Sequence, residues 1–280
     1  MRANFQPRYQ PGFGLRPRTP DRRDRALYAA IPNVDALPDK ADCSHLLPAP
    51  MDQHVTSACV GFSAATVMHA IMAKDGHRRP FVPSPVWLYY QARVLGGYVE
   101  EDMGAEIRNA WKAAARWGIA PMSNIKPRFK ASDLADPQTG LFPPNSIWRR
   151  EPAPSHYVDA ERRQALVYYR LATLPDILQC LADGWPVQLG FAVFPSLYGP
   201  SGQPRYHVPD PQPGERDLGG HAVAAYGYDK PSRRVFFRNS WSETAHEGGR
   251  PDFTLSFGYV AQFSADCWTG RAIEGHRPAA

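Results

Sequence analysis

Residues 52–64 read Asp52-Gln53-His54-Val55-Thr56-Ser57-Ala58-Cys59-Val60-Gly61-Phe62-Ser63-Ala64. Apolar residues then recur at helical spacing through Val60, Phe62, Val67, Met68, Ile71 and Met72, so the stretch 59–74 predicts a helix that Gly76 stops. Cys59 stands at its start. A free thiol, with a pKa of about 8.5, is mostly protonated at neutral pH. The positive end of a helix dipole favours the thiolate, which is the nucleophilic form. Gln53 lies six residues upstream, in a turn. Its side-chain NH2 and the Cys59 backbone N–H supply two donors for one point in space, the requirement of an oxyanion hole.

Working outward, His221 opens an apolar strand expected over 221–228, directly after Gly219-Gly220. Two glycines let another backbone or a substrate approach. Asn239 ends the next expected strand, 234–239. Antiparallel neighbours bring its amide beside the imidazole, where the carbonyl accepts a ring N–H and fixes the ring, as the third member of a catalytic triad does. Taken singly, these are a small buried thiol, a core histidine and a strand-end asparagine. Their order and surroundings carry the catalytic reading of Gln53, Cys59, His221 and Asn239.

The segment 52–64 resembles the nucleophile segment of papain-like cysteine peptidases. Gly219-Gly220-His221-Ala222-Val223-Ala224-Ala225-Tyr226-Gly227-Tyr228-Asp229 resembles their histidine strand, and Arg238-Asn239-Ser240-Trp241 their Asn-Ser-Trp segment. The resemblance covers residues 38–260, in the order Gln, Cys, His, Asn, and suits a divergent bacterial branch of the family. It implies a two-lobe α+β fold with a helical left lobe, an antiparallel β right lobe and the active-site cleft between them. It further implies a thiolate–imidazolium pair, acyl-enzyme chemistry on a peptide or protein substrate, and Trp241 shielding the His221–Asn239 bond. Thr56-Ser57-Ala58-Cys59-Val60 stands where the family has Cys-Gly-Ser-Cys-Trp, so Thr56 replaces a disulfide cysteine. Ala245 and His246 stand where a second Trp and its Gly are usual.

Elsewhere, Ser84-Pro85 is a helix start leading to Val94, and Asp102 is a candidate cap for a helix whose face is Ile107, Ala110, Trp111 and Ala114, closed by Gly118. Residues 121–156 read as loop. Strands are expected at 166–171, 187–194, 221–228, 234–239 and 253–257, with a short helix at 173–182. The Gly/Pro loop 199–220 is long enough to suggest a function. Helices first and strands later argue for α+β with two segregated halves, 38–150 and 151–280. His54, His207 and His246 read as solvated loop residues, and the aromatics of 87–90 as core.

The chain has 280 residues, 43% hydrophobic and 12% aromatic, which excludes wholesale disorder. No apolar run is long enough to span a membrane. Four cysteines without a CxxC pair make a zinc site or a disulfide scaffold unlikely; Cys43, Cys180 and Cys267 read as structural or free, with one disulfide open. No nucleotide, metal or redox motif occurs, so no cofactor is expected. The start lacks a signal peptide, which favours the cytoplasm or unconventional export. Residues 1–25 hold seven Arg and two Asp, a surplus equal to the whole net charge of +5. The arm 1–37 has three readings: a disordered tail, a pro-segment plugging the cleft, or an anchor for nucleic acid, which is unlikely to bind anywhere else. A catalytically silent interaction protein on the same fold is the alternative to the enzyme. Oligomeric state is open.

Overall fold

The architecture is built around helix α1, Cys59–Lys74, whose side chains are buried over nearly its whole length. It is an internal helix rather than an amphipathic surface one, so its apolar residues continue around the cylinder. This computed structural model describes residues 13–76, 80–163 and 166–272. Helix α2, Pro85–Gly96, starts as expected: the Ser84 hydroxyl accepts from the Trp87 N–H, proline fills the first helical position, and Gly97 ends the helix at φ 78°. Helix α3, Ile107–Trp117, buries Ile107, Ala110, Trp111 and Ala114 against α1 and α2, with Gly118 at its end. Its N-terminal neighbour is Glu106, not Asp102. Asp102 is turned into the interior instead, where it has other partners.

A long irregular stretch then leads to α4, Pro154–Glu161, which lies partly in the segment read as loop. Helix α5, Leu174–Ala182, carries a reciprocal capping box between Thr173 and Asp176.

The second half is an antiparallel sheet in the order β2-β7-β3-β4-β5-β6, made of Leu166–Arg170, Ser264–Ala272, Val187–Val193, Gly219–Asp229, Arg234–Arg238 and Asp252–Ser256. Strand β4 is longer than its neighbour β3. The short β1, Lys40–Asp42, covers the remainder of that edge by pairing with Gly227–Asp229. Residues 40–42, assigned from the sequence to the helical half, thus belong to the sheet. Helix α6, Phe257–Phe263, and β7 were also not anticipated. Asp266, Cys267, Trp268 and Thr269 are all buried, so β7 has no alternation to read.

All four cysteines are free and buried. No helix among the described residues is long and apolar enough to cross a membrane.

Candidate active site

An antiparallel bridge joins Asp52 to Trp241, and the Gln53 N–H donates to the Ser240 carbonyl at 2.9 Å. This places the turn before α1 against the segment after β5. Within the turn, the Asp52 carboxylate accepts from the His54 N–H at 2.7 Å and holds His54 at a positive φ of 51°.

The Gln53 side chain is fully buried. Its Nε2 donates to the Thr56 carbonyl at 2.8 Å, and its Oε1 accepts from the Ser240 hydroxyl at 2.6 Å. A carbonyl can only accept, so the first bond fixes the amide orientation. In place of the family's covalent tie at Thr56, the Asp102 carboxylate accepts from the Ser57 N–H at 3.0 and 3.1 Å and from the Tyr89 hydroxyl at 2.8 Å. Burial pushes this carboxyl up to about 6, against the lowering pull of those bonds and of Arg93.

His221 sits near the start of β4, opposite Phe191 of β3, and is fully buried. The antiparallel β4–β5 pairing carries Asn239 beside it, and His221 Nε2 and Asn239 Oδ1 lie 2.8 Å apart. The Ser240 N–H donates to the same oxygen at 2.8 Å. Trp241 stacks on the imidazole, centroids 4.6 Å apart. Cys59 is fully buried, and the backbone N–H of Ala222, the residue after His221, lowers its thiol pKa against the effect of burial.

The arm occupies the space between. The Leu15 N–H donates to the Gly220 carbonyl at 3.0 Å. On the other wall, the Arg16 N–H donates to the Ala105 carbonyl at 2.9 Å, and the Ala105 N–H to the Gly14 carbonyl at 2.8 Å. The Leu15 side chain is buried against Gly190 and Ile107, and Phe13 packs edge-on against His221 and Trp241. A Cβ added to Gly14 would sit 1.7 Å from the Ser57 carbonyl oxygen, so only glycine fits there. Further along, Asp21 and Asp24 both pair with Arg108 of α3, and Arg18 pairs with Asp24 at 2.8 Å. Residues 25–27 pair with Arg170, while Ile31 stays exposed.

Enclosure decides the protonation state. Burial pushes the Cys59 thiol up to about 12, although the N–H groups of Ala222, Gly14 and Val60 oppose it. Burial likewise pulls His221 down to about 4, against the raising effect of Asn239. With the thiol far above the imidazole, the proton stays on sulfur and both groups are neutral. Burial thus favours the neutral forms of both groups, against the thiolate–imidazolium pair that the resemblance implies. His221 Nδ1 has no hydrogen-bond partner among the described residues.

His54 and His207 are exposed, as read. His246 is not. It is fully buried, 2.9 Å from Asn239 through Nε2, at a position that the sequence marked only as a missing glycine and a solvated loop. No group of three or more His, Cys, Asp or Glu able to hold a metal occurs among the described residues.

The helical half and the antiparallel sheet half together make the two-lobe α+β fold of papain-like cysteine peptidases, and the comparisons support a peptidase of that type. It resembles xylellain, a cysteine protease from Xylella fastidiosa, with a TM-score of 0.85 and 29% identity over 96% of this chain and 99% of that one. The uncharacterized peptidase C1-like protein L477 of Acanthamoeba polyphaga mimivirus is 26% identical over 229 residues, covering 78% of this chain and 68% of the relative. The proform of the ragweed pollen cysteine protease Amb a 11 shares the fold, with a TM-score of 0.60 at 16% identity over 86% of this chain and 67% of that one. No protein-family profile matches the chain.

Proposed function

We propose that the protein hydrolyses peptide bonds with Cys59 as nucleophile, His221 as proton carrier, Asn239 as the group that orients His221, and Gln53 with the Cys59 N–H as oxyanion donors. We further propose that residues 38–280 form the peptidase domain and residues 1–37 a plug that keeps it latent. The observation that carries this reading is the 2.8 Å His221–Asn239 contact, with the Cys59 sulfur at the N–H of the next residue in β4.

With the cleft open and hydrated, the desolvation that favours neutral groups is relieved. The thiol pKa falls, the imidazole pKa rises, and the proton moves from sulfur to His221 Nδ1. The thiolate attacks the substrate carbonyl, the oxyanion meets its donors, and His221 returns the proton to the leaving amine. Water then repeats the sequence on the acyl-enzyme.

Two experiments test this. Treatment of the opened protein with an epoxide or vinyl-sulfone thiol probe, followed by peptide mapping, places the label on Cys59 and leaves Cys43, Cys180 and Cys267 unmodified. Labelling of another cysteine instead refutes the nucleophile assignment. Gly14→Val in the full chain cannot seat against Ser57 and is expected to raise both labelling rate and peptidase activity. Activity no higher than wild type, with the variant folded, removes the plug reading.

A further inference from the structure

We propose that His246 is a positioning residue that locks the Asn239 amide and thereby decides which nitrogen of His221 is left free for the Cys59 proton. This rests on the triad reading above and goes beyond it.

The argument is one of donors and acceptors. The Arg205 carbonyl lies 3.0 Å from His246 Nδ1 and can only accept, so Nδ1 carries the proton. In the neutral ring Nε2 is then an acceptor. It faces Asn239 Nδ2 at 2.9 Å, which donates to it. The Asn239 oxygen is thereby turned to His221 Nε2 at 2.8 Å, which must donate. His221 Nδ1 is left as a bare lone pair. The Ser240 backbone N–H, which can only donate, meets the same Asn239 oxygen at 2.8 Å and agrees with that orientation, while among the described residues His246 alone gives the Nδ2 side of the amide its acceptor. The chain from Arg205 through His246 and Asn239 to His221 thus admits one arrangement of protons, the one a general base needs.

The surroundings hold His246 in that role. Its ring lies parallel to Trp241 (6.1 Å, 9°) and to Phe253 (5.0 Å, 11°). Its backbone closes a tight turn with Arg250 through Gly248 and Gly249, both at positive φ. Arg205 comes from the long loop 199–220, and Gln203 of that loop donates to the His246 carbonyl at 3.1 Å. This gives the loop a purpose. Burial keeps the ring neutral, outweighing the Arg205 carbonyl, Asp252 and Glu247. A doubly protonated His246 would set donor against donor at Asn239.

The test uses the full chain labelled with 15N-histidine, whose nitrogen chemical shifts report the tautomer of each ring. In wild type at neutral pH, His246 is expected as the Nδ1–H form and His221 as the Nε2–H form. His246→Phe keeps the aromatic stack but removes both nitrogens, and His221 is expected to lose its single tautomer. His246→Gln, which can accept from Asn239 and donate to Arg205, is expected to restore it. In the plug-open background, the Phe variant should lower kcat by about tenfold to a hundredfold with KM unchanged, the scale expected when a buried polar group loses its partner. A His221 that stays Nε2–H in the Phe variant overturns the proposal. So does a wild-type His246 protonated at Nε2, a measurement that needs no variant to fold. If wild-type His221 is instead the Nδ1–H form, the triad reading itself fails, which separates the two outcomes.

Discussion

Replacing Cys59 by alanine is expected to abolish peptide hydrolysis, by about six orders of magnitude in kcat if the site behaves as a catalytic unit whose nucleophile is lost. The substitution removes one sulfur atom from a packed site and leaves a small void next to Gly14 and Ala222. The fold should therefore survive, and circular dichroism and the melting temperature should stay close to wild type. The informative comparison is with Cys43→Ala. The Cys43 thiol points at the Tyr226 carbonyl at 3.1 Å, and burial pushes it up to about 12. Its thiol is engaged by that carbonyl, away from His221 and Asn239, so its loss should leave kcat unchanged. Substantial turnover in the purified Cys59→Ala protein would end the mechanism.

Deletion of residues 1–37 is expected to raise activity and probe labelling by about tenfold to a hundredfold. Leu15 alone buries a whole side chain in the cleft, worth about 1.5–3 kcal/mol, and each 1.4 kcal/mol or so is about a factor of ten in occupancy. Three backbone hydrogen bonds and the Arg108 pairs with Asp21 and Asp24 add to this. The pH dependence carries a distinct signature. Opening the cleft to water is expected to lower the Cys59 thiol from about 12 and to raise His221 from about 4. Labelling of the truncated chain should therefore be fast at neutral pH. In the closed full chain it should climb only as the solution becomes strongly alkaline. Identical labelling rates for both proteins across the pH range would return the arm to a passive tail.

The readable parts of the site were those whose chemistry is written locally. Cys59 is marked by the helix it opens, His221 by Gly219-Gly220 before an apolar strand, and Asn239 by its place at a strand end. The alternation of β5 and the caps of α2 and α5 are likewise local signals. What the sequence hid depends on partners far along the chain. Asp102 looked like a helix cap because aspartate caps helices; its actual partners, Ser57 and Tyr89, are known only once three elements are packed. Arg93 stands in the last turn of α2. It is fully buried, with its guanidinium over the Tyr89 ring and bonded to the Val99 and Glu101 carbonyls. His246 read as a solvated loop residue, because nothing nearby in sequence foretells that Asn239 and Arg205 converge on it. The irregular loops brought these partners together, and loops have no periodicity to read.

The shut cleft also bears on how the protein survives before use. A peroxide attacks sulfur as thiolate, and the first oxidised product goes on to forms that cells rarely reverse. With Cys59 sealed under Gly14 and held protonated, the resting chain offers oxidants almost none of the reactive species. If the arm withholds catalysis as proposed, the same contact preserves the sulfur in storage, and vulnerability to oxidative damage should begin when the arm leaves.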